Sequence, residues 1–133
     1  MPPKKEKKEK KNIRSSLKTK WLQCKNAGAQ LTTASDQYNI YYTNNIINIE
    51  DQIQLLNDQI RKLYESDTFE DGQDSANHTI LYNQRKVLQA TLDANNQTLL
   101  TQRQTVKNLK TSHDILSIET EALIKELGEA EDE

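Results

Sequence analysis

The sequence is short of almost everything a compact globule needs. Only 34% of its 133 residues are hydrophobic and 5% aromatic, where a globular domain of this length is about 45–50% apolar. That shortage points to long solvated helices or disorder. Cysteine occurs once, at Cys24, so no disulfide framework can form within the chain, and a reducing compartment is the simplest setting. Uninterrupted apolar runs stop at two or three residues, as in Ala122-Leu123-Ile124, against the roughly 18–20 needed to cross a bilayer. No membrane span is expected. The three glycines, Gly28, Gly72 and Gly128, are too scattered to build a phosphate-cradling loop. His78 and His113 lie far apart, with no second ligand at metal spacing. Acid pairs such as Glu119 and Glu121 read as solvated charge on a helix flank. The reading is a non-enzymatic protein with no cofactor.

The opening MPPKKEKKEKK has no apolar core of a secretory signal, and it is Lys-rich with interspersed Glu where a mitochondrial presequence would be Arg-rich and acid-poor. The chain is expected to be the mature one, in cytosol, nucleus or cilium. The glycosylation-type triplets Asn77-His78-Thr79 and Asn96-Gln97-Thr98 then read as coincidence.

What the sequence does have is charge and amide. Charged residues make up 29%, and Asn and Gln fill another 24 positions. The net charge of −2 conceals a layout: residues 1–25 carry ten Lys/Arg against Glu6 and Glu9, a net of +8, which leaves −10 for residues 26–133. Residues 1–14 read as a disordered Lys-rich arm, too polar to offset its ordering entropy. Lys4, Lys5, Lys7, Lys8, Lys10, Lys11 and Arg14 would attract polyanions without shape specificity: DNA, RNA, anionic lipid or the acidic tails of tubulin. Among the first fifteen residues only Met1 and Ile13 are large and apolar, so neither base stacking nor membrane insertion is favoured.

Beyond the arm the spacing predicts two coiled-coil helices, over residues 15–64 and 78–128, joined by an acidic hinge at 65–77 and followed by an acidic tail at 129–133. The first helix would start at a Ser15–Ser16 cap and bury Leu17, Trp21, Cys24 and Leu31, loosening near 28–36. A stutter near Tyr38 and Tyr42 would shift the frame. From there the seam runs through Tyr42, Ile46, Ile49, Ile53, Leu56, Ile60 and Leu63 in steps of four and three. The second helix keeps one frame throughout: Leu81, Arg85, Leu88, Leu92, Asn95, Leu99, Gln102, Val106, Leu109, His113, Leu116, Thr120, Leu123 and Leu127. Gly128 would stop it. Ile at a and Leu at d in the first helix approach the preference of parallel dimers, whereas Arg85, Asn95, Gln102 and His113 are polar seam residues that fix register or meet a matching partner. Buried His113 could also make the interface pH-sensitive.

Helices of equal length can fold back as an antiparallel hairpin or extend as a segmented rod. So few seam residues for about 100 ordered positions favour further helices supplied in trans, that is, other coiled-coil proteins in a hetero-oligomer. Off-seam Ile47, Leu55, Leu100, Ile115 and Ile118 offer more than one face for them. Tyr38, Tyr41 and Tyr42 read as packing against a second helix.

The opening MPPKKEKKEKK, followed by coiled coil nearly throughout, resembles small ciliary and axonemal coiled-coil proteins, including subunits of the nexin-dynein regulatory complex and related axonemal linkers. The resemblance implies a structural subunit in the cytoskeleton, bound to doublet microtubules and neighbouring coiled coils. It carries over no individual residue. The expectation is therefore a scaffold subunit that binds partner helices through its seams and an acidic surface, tubulin among the candidates, through its arm. A nuclear, nucleic-acid-associated helical protein and a helical-hairpin chaperone or tethering subunit are the alternatives.

Overall fold

The computed structural model describes residues 3–67, 69 and 72–132, with side chains throughout except at 3–8, 72, 73 and 132. Among the described residues the chain is all-α. Helix α1 covers Pro3–Tyr42, a π-helical turn follows at Thr43–Ile47, α2 covers Asn48–Tyr64 and α3 covers Gly72–Asp132. The molecule divides into two compact units, residues 1–36 with 104–133 and residues 37–103. Each is a pair of helices running antiparallel. In the second unit α2 returns into α3 across a short turn; in the first, Arg14 reaches Glu131 at 2.8 Å. Folding back, and not a rod, is the arrangement.

The α3 frame is continuous. Every position of the three-four series from Leu81 to Leu127 is buried or half-buried, and its flanks are mostly exposed. The opposing frame differs from the expected one on both sides of the π turn. In α1 the covered positions are Ile13, Leu17, Lys20, Cys24, Ala27, Leu31, Ala34, Tyr38, Tyr41 and Asn45, a strict alternation of four and three. Trp21 is 53% exposed and Tyr42 is 41% exposed, so neither is a seam residue; Lys20 and Tyr41 take those places. Beyond the π turn the frame resumes on Ile46, Ile49, Ile53, Leu56, Ile60 and Leu63, all buried or half-buried.

Asn45 and Ile46 therefore occupy one seam slot between them, and the step from Tyr38 to Ile46 is eight residues instead of seven. In an uninterrupted α-helix the extra residue would rotate everything after it by about 100°, off the seam. The wider turn absorbs it: the Asn48 N–H bonds to the Thr43 carbonyl, five residues back. A one-residue insertion, and not a stutter, joins the two frames. Locally the sequence favours this, because Thr43 and Asn45 turn their side chains onto the carbonyls of Asn39 and Tyr41, at 3.1 and 3.2 Å, in competition with the regular ladder.

Three boundaries also move. Residues 9–14, expected within an unstructured arm, belong to α1, whose helical backbone precedes the Ser15–Ser16 cap; alternating Lys and Glu are good helix formers. The hinge is shorter than 65–77, because α3 begins at Gly72. Its turn is held by Glu65 N–H to the Arg61 carbonyl at 3.1 Å and Ser66 N–H to the Leu63 carbonyl at 3.2 Å. Gly128 does not end α3, which continues to Asp132. A single helical glycine costs only about 1 kcal/mol against Ala, and Glu126, Leu127, Glu129 and Ala130 on either side are strong helix formers. Nor does α1 loosen at 28–36.

Candidate interaction surfaces

Two helices give a seam only two walls. Ala27, Ile46, Ile60, Leu92 and Thr120 are buried, and the other described seam residues stay half-covered. Seam chemistry differs between the units. In the first, small residues of α1 face polar ones of α3. A Cβ added at Gly28 would lie 3.3 Å from His113 Nε2, so the missing side chain is what admits the imidazole. Cys24 Sγ and Ser117 Oγ lie 3.3 Å apart, and the buried Thr120 hydroxyl donates to its own Leu116 carbonyl at 2.7 Å.

In the second unit the aliphatic seam is interrupted by specific polar contacts. Asn95 Nδ2 donates to the Asn45 carbonyl at 2.9 Å. That carbonyl sits in the π turn, where the shift from i+4 to i+5 bonding disturbs the normal supply of donors. The polar slot on one helix is thus matched to the irregular turn on the other. Arg85 donates to Asn57 Oδ1 at 2.9 Å. Gln102 buries its Oε1 without a partner among the described residues, which disfavours the position by about 1–3 kcal/mol.

At the turn end of the second unit lies a cluster that the sequence reading passed over. Tyr64 and Phe69 rings sit 5.1 Å apart, His78 is 5.1 Å from Tyr64 and 6.0 Å from Phe69, and Tyr82 stacks on His78 at 6.3 Å. The Tyr64 hydroxyl and His78 Nε2 are 2.7 Å apart, and the Arg85 guanidinium lies 5.3 Å from the Tyr82 ring centre. His78 is a packing residue of the turn. The available signal was Phe69, the chain's one phenylalanine, in the middle of an acidic loop.

The seam leaves one flank of this unit uncovered. Leu55 is 63% exposed, Val87 66% and Ile80 55%. Leu55 and Val87, with Leu56 and Leu88 beneath, line an open groove of about 660 Å³ whose rim is Gln52, Gln59, Asn83 and Gln84. Gln59 also borders a second recess containing Leu63, Ile80 and Leu81. This rim is uncharged until Lys62. Of the off-seam residues singled out from sequence, Leu55 lies here, and Ile47, Leu100, Ile115 and Ile118 are exposed elsewhere.

The charged ends meet within the first unit. Arg14 pairs with Glu131, and Lys20 with Glu119. Arg14 is therefore not a free polyanion contact. Lys10 and Lys11 lie on the first turns of α1, while the side chains of Lys4, Lys5, Lys7 and Lys8 fall outside the described residues. Among the described residues no group of three His, Cys, Asp or Glu side chains could hold a metal ion, and no helix is long and apolar enough to cross a membrane.

Comparison with known protein families, curated proteins and solved structures finds no match to this chain. The functional reading accordingly rests on its own surfaces.

Proposed function

We propose that the protein is a non-enzymatic helical scaffold or linker subunit that captures a partner helix in the Leu55–Val87 groove and meets an acidic surface with its basic end. The observation that carries this is the contrast within residues 37–103. Seam residues such as Leu92 and Ile60 are consumed by the intramolecular pair, yet the neighbouring Leu55, Val87 and Ile80 remain more than half exposed along a neutral groove. An exposed apolar strip rimmed by polar side chains is the signature of an interaction site, and an amphipathic helix laying aliphatic side chains into it would complete a third wall. Partner capture thus moves off the a and d seam to its flank. A hetero-oligomeric coiled-coil assembly is the fitting setting, and an axonemal one, with tubulin's acidic tails as the surface met by the Lys-rich segment, is what the resemblance suggests.

Leu55→Glu with Val87→Glu tests the groove. Both side chains are exposed, so stability should change by no more than about 0.5 kcal/mol, while proteins recovered with the full-length chain from its native source should no longer co-purify. An unchanged set of co-purifying proteins would refute the groove. Deleting residues 2–11 and measuring co-pelleting with microtubules at rising salt tests the basic end: loss of salt-sensitive binding is expected, and undiminished binding counts against it. Competition by DNA in the same experiment would favour the nucleic-acid alternative.

A further inference from the structure

Trp21 is the chain's single tryptophan, and α1 carries it outside the seam, more than half exposed. Arg14, Lys18, Trp21 and Lys25 recur at steps of four, three and four and so share one face of α1. Beside the indole, Leu17 and the exposed Ile124 of α3 line a shallow recess of about 380 Å³ together with Arg14 and Lys18. Lys25 Nζ sits 5.4 Å from the indole ring centre. Arg14 is engaged by Glu131, but Lys18 and Lys25 have no carboxylate partner among the described residues.

We infer that this face docks an acidic protein segment bearing an apolar side chain between its carboxylates. Lys18 and Lys25 are two helical turns apart, roughly 10 Å, with the indole between them. Carboxylates spaced to meet the two ammonium groups place the intervening side chain on Trp21 and Ile124. Tryptophan is the residue most enriched at interface hot spots, and the flanking cations exclude partners of the wrong charge. A bilayer fits less well, since an interfacial helix needs a continuous apolar stripe and this face sets one indole among cations. Nucleic acid would engage the cations, but Lys25 already covers one face of the ring that a base would stack on. The inference rests on the reading that the basic end meets an acidic surface, and moves that contact from residues 4–11 to a helical face.

As the sole indole, Trp21 reports directly on its own occupancy in the full-length chain. The probes are a glutamate-rich peptide with interspersed leucines and a poly-glutamate peptide of equal length. The leucine-containing peptide should shift Trp21 emission to shorter wavelength and bind about tenfold tighter than poly-glutamate. Lys18→Glu with Lys25→Glu should abolish that shift. Trp21→Ala, followed by polarisation of a labelled peptide, should weaken binding by about tenfold or more with unchanged helical circular dichroism. Equal binding of the two peptides with unmoved emission would overturn the inference, as would phosphatidylserine vesicles or duplex DNA displacing the peptide and producing the shift themselves. Binding lost on deleting residues 2–11 but untouched by Trp21→Ala would also overturn it, leaving the Lys-rich contact standing.

Discussion

Two glycines inside long helices have opposite surroundings. Gly128 has nothing within 4 Å of where a Cβ would stand, whereas a Cβ at Gly28 would press on the His113 imidazole at 3.3 Å. Gly128→Ala should therefore realise the full helix-propensity gain of about 1 kcal/mol in thermal or denaturant unfolding. Gly28→Ala should gain less in the natural chain and recover the difference when His113 is also Ala. Additive effects of the two substitutions would show that the glycine is not there to admit the imidazole. Other seam residues divide the same way: Asn95 and Arg85 reach definite acceptors, while Gln102 buries its amide oxygen unpaired. The polar seam is a set of separate local solutions.

Among the elements, the π turn is the most consequential. It reconciles a strict seven-residue frame ending at Asn45 with one starting at Ile46, against an α3 frame that never breaks phase. Deleting Asn44, an exposed residue of that turn, should restore a seven-residue step, convert the turn to α-helix and leave both frames on the seam. The same deletion at the exposed Gln30 would rotate the following seam residues by about 100° until the next irregularity. Unfolding midpoints should thus fall much less for the Asn44 deletion than for the Gln30 deletion. Equal losses would mean that the π turn does not set the register.

For the whole molecule, half-covered seam residues imply a marginal fold that a partner reinforces. Burial at ~25 cal/mol per Å² is realised only partly when each side chain has two walls instead of three. Leu92→Asp places a carboxylate at a site only 8% exposed, and should destabilise the chain by about 3 kcal/mol or more. Leu55→Glu with Val87→Glu should leave the isolated chain's unfolding midpoint nearly unchanged but remove any rise produced by the co-purified partner. If both sets of substitutions unfolded the isolated chain alike, the distinction between seam and groove would fail.

The all-α fold, the two long helices and the α3 frame were legible in the sequence, because periodicity along one helix is a local property that needs no knowledge of the partner. So was the absence of a long apolar run. The three-dimensional pairing decided the rest. Trp21 and Tyr42 fit a heptad arithmetically as well as Lys20 and Tyr41 do. Only the opposing helix, demanding a continuous frame through Ile46, selected between them and placed an extra residue in a widened turn. The tight approach of His113 to Gly28, the grouping of Tyr64, Phe69, His78 and Tyr82, and the joining of Arg14 to Glu131 link positions far apart in the chain. No local pattern encodes them, because they exist only once the helices have folded back on one another.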